Sequence, residues 1–283
     1  MSDVDSDIVF YWVPGCANCT RLKGYLTRRG VAYRAVNVQA EPSALEEMAS
    51  AGLRALPGLR VGGRWIRTEE ADINAALGLA AETQRSPPPP ARVLVDRCAR
   101  MLDLASDLAP QLPPDHFNDP TPTMTDFVSA GRFLADGQPY IPHGTSKSLV
   151  HHIAQHGEKA LRLVLASDGV HELGFAIDGS GDYNFFGEPE PATPMYRVVA
   201  RMRLTASDLR AWLQTEGEDG FWRVLETHRG PATMLKYLEV QTVGLLQHTR
   251  QLADILEGLN IEPKGIVEPQ DLEGLRMPTG VWD

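Results

Sequence analysis

Two cysteines one helical turn apart, Cys16 and Cys19, carry the most recognisable chemistry in the sequence. They follow the apolar run Ile8-Val9-Phe10-Tyr11-Trp12-Val13 and a Pro14-Gly15 pair, and they open a helical pattern that continues to about Arg29. A strand, a turn and a helix in that order put Cys16 at the first helical turn. There the unpaired backbone N–H groups and the macrodipole favour negative charge. A thiolate at Cys16 is thereby stabilised, which makes it the nucleophile. Cys19 lies close enough to attack a mixed disulfide formed at Cys16, and the two together are the minimum apparatus for thiol–disulfide exchange. Two other uses of the pair stay open. A structural zinc site takes four ligands, and because Cys98 is the only other cysteine such a site would need histidines from far along the chain. Both thiols could also be buried and inert.

The elements that must hold this pair read as βαβαββα. After the Cys-x-x-Cys helix, Gly30 is placed as its C-terminal stop. Val31–Val38 is rich in β-branched and aromatic residues and reads as a strand. Pro42–Ala51 reads as a helix with Glu46 and Glu47 in its first turns. Leu56–Val61 and Arg64–Ile66 flank Gly62-Gly63, whose freedom to take positive φ suits a tight hairpin. Glu69–Leu79 closes the unit as an amphipathic helix, and the whole predicts a sheet with helical cover.

Residues 7–80 resemble a glutaredoxin-like domain of the thioredoxin fold. The resemblance rests on Pro14-Gly15-Cys16-x-x-Cys19, on the strand ending in Asn37-Val38, and on Leu56-Pro57 before the Gly62-Gly63 hairpin. It implies that Cys16 attacks, that Cys19 resolves, and that Pro57 is a cis proline facing the cysteines and offering its backbone to the substrate chain. An ordinary trans proline at a strand edge is the alternative. Arg67-Thr68-Glu69 stands where the family usually has a glycine, so thiol-substrate contacts differ on that side.

A chain of 283 residues is long enough for two domains that each bury a core without covalent staples. Its 43% hydrophobic and 23% charged residues are ordinary for a globular protein. A net charge of −10 argues against nucleic acid or an anionic membrane as the main partner. The start Met1-Ser2-Asp3-Val4-Asp5 lacks the basic and apolar regions of a signal peptide, and no long apolar run exists. Cysteine usage fits a reducing, cytoplasmic location.

Arg85-Ser86-Pro87-Pro88-Pro89-Pro90 marks a boundary between a redox domain at 1–84 and a second domain at 92–283, with 85–91 as the linker. Four prolines favour a stiff spacer of about 3 Å per residue; an irregular surface loop is the alternative. Beyond it, helical patterns take over. Leu94, Cys98, Met101, Leu102, Ala105 and Leu108 form a stripe within Val93–Leu112, which makes Cys98 a core residue. Residues 113–142 are rich in proline, aspartate and glycine. Ser146–Leu165 is a helix capped by Ser146 or Thr145. Thr193–Ala206 and Ser207–Thr215 form a third helical region. Pro231–Leu259 is the longest, with its proline in the first turn. Four helices with long polar connections predict a bundle, so the expected fold class is an α/β thioredoxin-like domain followed by an all-α four-helix bundle.

Residues 92–283 resemble the DinB-like bundles, a superfamily that includes thiol-dependent isomerases and transferases. The carrying residues are Leu149-Val150-His151-His152-Ile153, Gln247-His248-Thr249-Arg250-Gln251-Leu252, Asp271–Leu275 and Val281-Trp282-Asp283. The resemblance implies a divalent metal, zinc or nickel, with His152 and His248 as two of its ligands. The third position falls on Gly244, which has no side chain to donate, so the usual set is incomplete. His156 is four residues from His152 and shares its helical face. A His152–His156–His248 set with an open position is therefore conceivable, but tight metal binding is not expected unless His156 points inward. Glu239 and Gln241 are the expected hydrogen-bond partners of His152 and His248. His116, His143, His151, His171 and His228 read as loop or surface residues.

The expected function is that of a cytosolic thiol–disulfide oxidoreductase acting on a thiol or disulfide substrate, small molecule or protein. Its bundle would bind a low-molecular-weight thiol or the substrate. One alternative is a metal- and thiol-dependent transferase or isomerase recycled by the redox domain. Another is a non-catalytic redox sensor. Dimerisation stays open.

Overall fold

Strand β1 (Ile8–Trp12) is apolar at every position, and the fold explains why. In a computed structural model of the chain, which describes residues 7–13, 16–38, 40–51, 53, 56–80, 88–122, 145–166, 193–215, 219–227, 230–278 and 280–282, β1 is a central strand covered on both faces. Alternate residues of a strand face opposite sides. Val9, Tyr11 and Val13 pack with Val36, Val38, Ala44 and Met48, whereas Phe10 packs with Leu22, Tyr25, Leu26, Leu59 and Ile73. The first cluster draws on α2 (Pro42–Ser50), the second on α1 (Ala17–Arg28) and α3 (Glu70–Leu77).

The sheet order is β2-β1-β3-β4, with β2 at Arg34–Asn37, β3 at Gly58–Val61 and β4 at Arg64–Ile66. β1 and β2 run parallel, with Phe10 opposite Ala35, and α1 makes the crossover that a parallel pair requires. β1–β3 and β3–β4 are antiparallel. Gly62 and Gly63 join β3 to β4 with φ of +55° and +75°, as the two-residue turn demands. Tyr25 donates to Asn74 Oδ1 at 2.5 Å and ties α1 to α3.

The second half of the chain packs four long helices, α4 (Ala91–Leu108), α5 (Ser146–Ala166), α6 (Met195–Leu213) and α7 (Met234–Gly258). α4 lies against the other three, and α5 also lies against α6 and α7. Leu94, Cys98, Leu102, Ala105, Ile153, Leu163, Met202, Leu209, Leu245 and Leu252 are fully buried in their shared core. Thr145 caps α5: its hydroxyl accepts from Ser148 N at 3.2 Å while Ser148 Oγ accepts from Thr145 N at 2.7 Å. The reciprocal pair satisfies two amide donors at once.

Three expectations need correction. The third helical region is one unbroken helix, α6, because Ser207 and Asp208 lie exposed on its surface and need not cap anything. Pro231 is not in the first turn of α7. It stands in β6 (Gly230–Thr233), paired with β5 (Val224–Thr227) in a small hairpin, where a residue without an N–H is tolerated at an edge. The cap of α7 is Thr233, whose hydroxyl accepts from Lys236 N at 3.1 Å. His151 is not a surface residue. α5 is packed by three helices, so residues beyond one stripe of it are enclosed, and His151 is completely buried.

Beyond α7 the chain turns through a short α8 (Pro269–Leu272) and runs back along the bundle. Asp271, nearly fully buried, pairs with Arg100 at 2.8 Å. Gln247, Arg250 and Gln251 donate to backbone carbonyls of Pro278, Gly280 and Val281, and Trp282 Nε1 donates to Asp254 at 2.7 Å. Of the expected linker only Pro88–Ala91 is described; residues 81–87 lie outside the described residues, as do Pro14-Gly15, most of the 113–142 segment, His143, His171 and His228. Among the described residues no helix is long and apolar enough to cross a membrane.

Candidate functional site: a thiol pair and a histidine trio

Cys16 is the N-cap of α1, with extended backbone at φ −75° and ψ 103°. Its sulfur accepts the Cys19 N–H at 3.2 Å, so the sulfur sits where the orphan amides of the helix point. Such donors favour a thiolate. The two cysteines form a disulfide in this structure, with Cα atoms 5.2 Å apart. Cys16 is half-buried and Cys19 is 1% exposed, so an incoming sulfur reaches Cys16 first. Leu56–Pro57 is a cis peptide at the entry to β3. Leu56 and Cys16 both pack against the apolar clusters on the two faces of the sheet, which places the proline loop and the thiol pair at one sheet end.

Asn18, which lies between the cysteines, and Arg21 line a small cleft completed by Lys236, Glu239, Val240 and Val243 of α7 and by Arg276 of the returning tail. Glu70 of α3 pairs with Arg276 and stands 3.9 Å from Arg21. Lys236 pairs with Glu239 at 2.7 Å. The thiol helix therefore faces the bundle across a polar seam. Sequence reasoning missed this seam, since nothing in the pattern tells which helix of the bundle meets α1.

Inside the bundle, His152, His156 and His248 come together. Their ligand-capable atoms all lie within 4.8 Å of one another. Ring centroids are 4.6 Å apart for His152–His156 and 4.8 Å for His152–His248. His156 points inward: its Nε2 is 3.2 Å from His152 Nε2. Each ring has its Nδ1 beside a glutamine oxygen, Gln155 at 3.3 Å, Gln241 at 2.7 Å and Gln251 at 2.6 Å for His152, His156 and His248 respectively. An amide oxygen only accepts, so with the proton on Nδ1 these contacts turn Nε2 toward the common centre. Burial holds the His248 pKa down at about 4, against a smaller upward pull from Gln251, and so keeps that imidazole neutral. Neutral imidazoles with Nδ1 fixed by an acceptor are what a divalent cation takes as ligands. The residues fit such an ion.

Gln241 meets His156 rather than His152 or His248, because the His156 ring is the one that reaches over α7, and Glu239 is engaged by Lys236 instead. Gln155 and Gln251 were missed, although the repeated His-x-x-Gln spacing, which puts both side chains on one helical face, signals them. His116 behaves as expected, part-exposed and 2.6 Å from Asp119. His151, one position from the trio, is not part of it; burial lowers its pKa to about 4, with Lys147 adding to the effect and the nearby Thr193 backbone opposing it weakly. Cys98 is fully buried and burial pushes its pKa up to about 12. It belongs to the shared core of the bundle, as its place on the apolar stripe of α4 predicts.

A family model for glutaredoxin matches residues 8–66, from the start of β1 to the end of β4 with the Cys16–Cys19 pair inside it. That segment carries a glutaredoxin domain with a Cys-x-x-Cys pair. Searches of curated proteins and of solved structures returned no match to the chain.

Proposed function

We propose that the chain is a cytosolic thiol–disulfide oxidoreductase. The observation that carries the reading is the half-buried Cys16 sulfur at the N-cap of α1, bonded to a buried Cys19 that can resolve it. In the reduced enzyme the Cys16 thiolate attacks one sulfur of a substrate disulfide, forms a mixed disulfide and releases the first substrate thiolate. Cys19, deprotonated, then attacks the Cys16 sulfur and releases the second. Two electrons have passed from the dithiol to the substrate, and the Cys16–Cys19 disulfide remains until an external thiol reduces it. Pro57 lends its backbone to align the substrate chain beside the sulfurs. Residues 1–84 act as the redox domain and 92–283 as a DinB-like bundle that presents a low-molecular-weight thiol or the substrate.

Disulfide reduction by purified protein tests this reading. Turnover that vanishes in Cys16→Ser supports it, and unaltered turnover in that variant rejects it.

A second reading is favoured by one observation, the trio of imidazoles whose Nδ1 atoms all meet glutamine oxygens. Here the bundle is a transferase or isomerase centre in which His152, His156 and His248 hold a zinc or nickel ion. Such an ion lowers the pKa of a bound thiol. The redox domain would return oxidised thiols to use. A sensor role, in which oxidation of the pair alters bundle packing, predicts poor turnover in the same assay.

A further inference from the structure

Gly244 and His156 occupy one space. A Cβ built on Gly244 would meet His156 Cε1 at 2.5 Å, Nε2 at 2.8 Å and Nδ1 at 2.9 Å. Contacts below 3.0 Å with three ring atoms cannot be relieved by a small tilt, because the ring is also held by Gln241 Oε1 at 2.7 Å. Glycine is otherwise a poor choice in the middle of α7, where it destabilises a helix relative to alanine. Gly244 also precedes His248 by four residues, so a side chain at 244 would share the face of α7 on which His248 stands. The face that could have carried a second ligand from α7 is bare, and a ring from α5 lies over it.

We propose that Gly244 is a clearance residue that lets His156 cross from α5 to complete a three-imidazole site for a borderline divalent cation such as zinc. Two ligands come from consecutive turns of α5 and one from α7. This rests on the reading that the bundle holds a metal, and adds which residue makes the third ligand attainable. Three nitrogen ligands leave one position open to solvent or to a small sulfur ligand. His152 and His156 sit one turn apart, a spacing that lets two imidazoles address one ion.

The test uses the full chain with zinc or cobalt(II) alone as the probe. Metal content after dialysis, affinity by competition with a chromophoric chelator, and the visible spectrum of the cobalt form are measured for the wild type, Gly244→Ala, His156→Ala and the exchanged pair Gly244→His with His156→Gly. The wild type should hold one ion. Gly244→Ala, which adds only a methyl group and favours helix, should displace the ring and weaken binding by more than about 100-fold, as His156→Ala should; changes outside the ligands typically cost 10–100-fold. The exchanged pair should regain binding with an altered cobalt spectrum, because the third imidazole then comes from α7. Thermal melts of the metal-free forms show that each variant is folded. A wild type that binds no zinc would reject the metal reading itself. A wild type that binds while Gly244→Ala or His156→Ala binds equally well would leave that reading standing and overturn the clearance role.

Discussion

His248 Nδ1 donates to Gln251 Oε1 across 2.6 Å, and the same amide group donates from Nε2 to the Val281 carbonyl at 2.9 Å. The second bond fixes which end of the Gln251 amide faces the ring. With oxygen toward Nδ1, the proton belongs on Nδ1 and the other nitrogen is presented as a ligand. A carbonyl in the returning tail thus sets the tautomer of a histidine in the bundle core.

Gln251→Leu should therefore weaken zinc binding by about 10–100-fold, the range found for removed outer partners of metal ligands. Gln251→Glu, which still accepts from Nδ1, should bind close to the wild type. Chelator competition reads the effect, and melting of the metal-free proteins separates it from a loss of packing. Equal affinity in all three proteins would mean that Gln251 serves the tail alone.

Cys98 gives a prediction in pH. The Thr242 hydroxyl donates to Leu238 O at 2.9 Å, so the Cys98 S–H is the donor in the 3.2 Å contact between sulfur and hydroxyl. Burial keeps the thiol protonated in the fold to about pH 12, whereas in the unfolded chain it ionises near its ordinary value of about 8.5. Between those values the unfolded state binds fewer protons, so this group's contribution to stability falls as pH rises, by up to about 1.4 kcal/mol per unit. It is fully present below about pH 8. Melting between pH 8 and 10.5 should decline less steeply in Cys98→Ala than in the wild type. Parallel slopes would contradict the assignment, as would alkylation of Cys98 in the native protein at pH 8.

Gly157 on α5 packs against Leu102 of α4. An added Cβ would lie 2.6 Å from Leu102 Cδ2 and 2.7 Å from its Cδ1, and Leu102 is fully buried. Overpacking a closed core costs about 1–3 kcal/mol, against a gain of about 0.5–1 from replacing glycine in a helix. Gly157→Ala should be destabilised by roughly 1 kcal/mol in chemical denaturation. Increased stability would show that the α4–α5 contact yields easily.

Much of this was legible in the chain because periodicity carries it. The unbroken apolar run of β1 required cover on both faces, the Gly62-Gly63 pair required a hairpin, and the stripe through Leu94, Cys98, Met101 and Leu102 required a core. The thiol pair was legible for a further reason: its chemistry depends on position at a helix start, which strand, turn and helix order reveals. The seam between α1 and α7 was not legible, because Arg21, Glu70 and Arg276 are ordinary surface residues until the tail returns. The inward turn of His156 was posed by the sequence but not decided by it, since only the packed pair of α5 and α7 shows that its ring lies over Gly244. His151 misled for a similar reason, as a polar residue beside the seam reads as exposed until a third helix covers it. Pro231 did so because a proline before a long helical pattern suits both the first turn and an edge strand.

The central claim is that Cys16 is the attacking sulfur and Cys19 the resolving one. Trapping with a low-molecular-weight disulfide, followed by mass analysis of the adduct site, tests it most directly. Cys19→Ser should accumulate a mixed disulfide on Cys16 in one-to-one amount, the wild type should accumulate none and turn over, and Cys16→Ser should do neither. A stable adduct on Cys19 in Cys16→Ser, with turnover retained, would contradict the account.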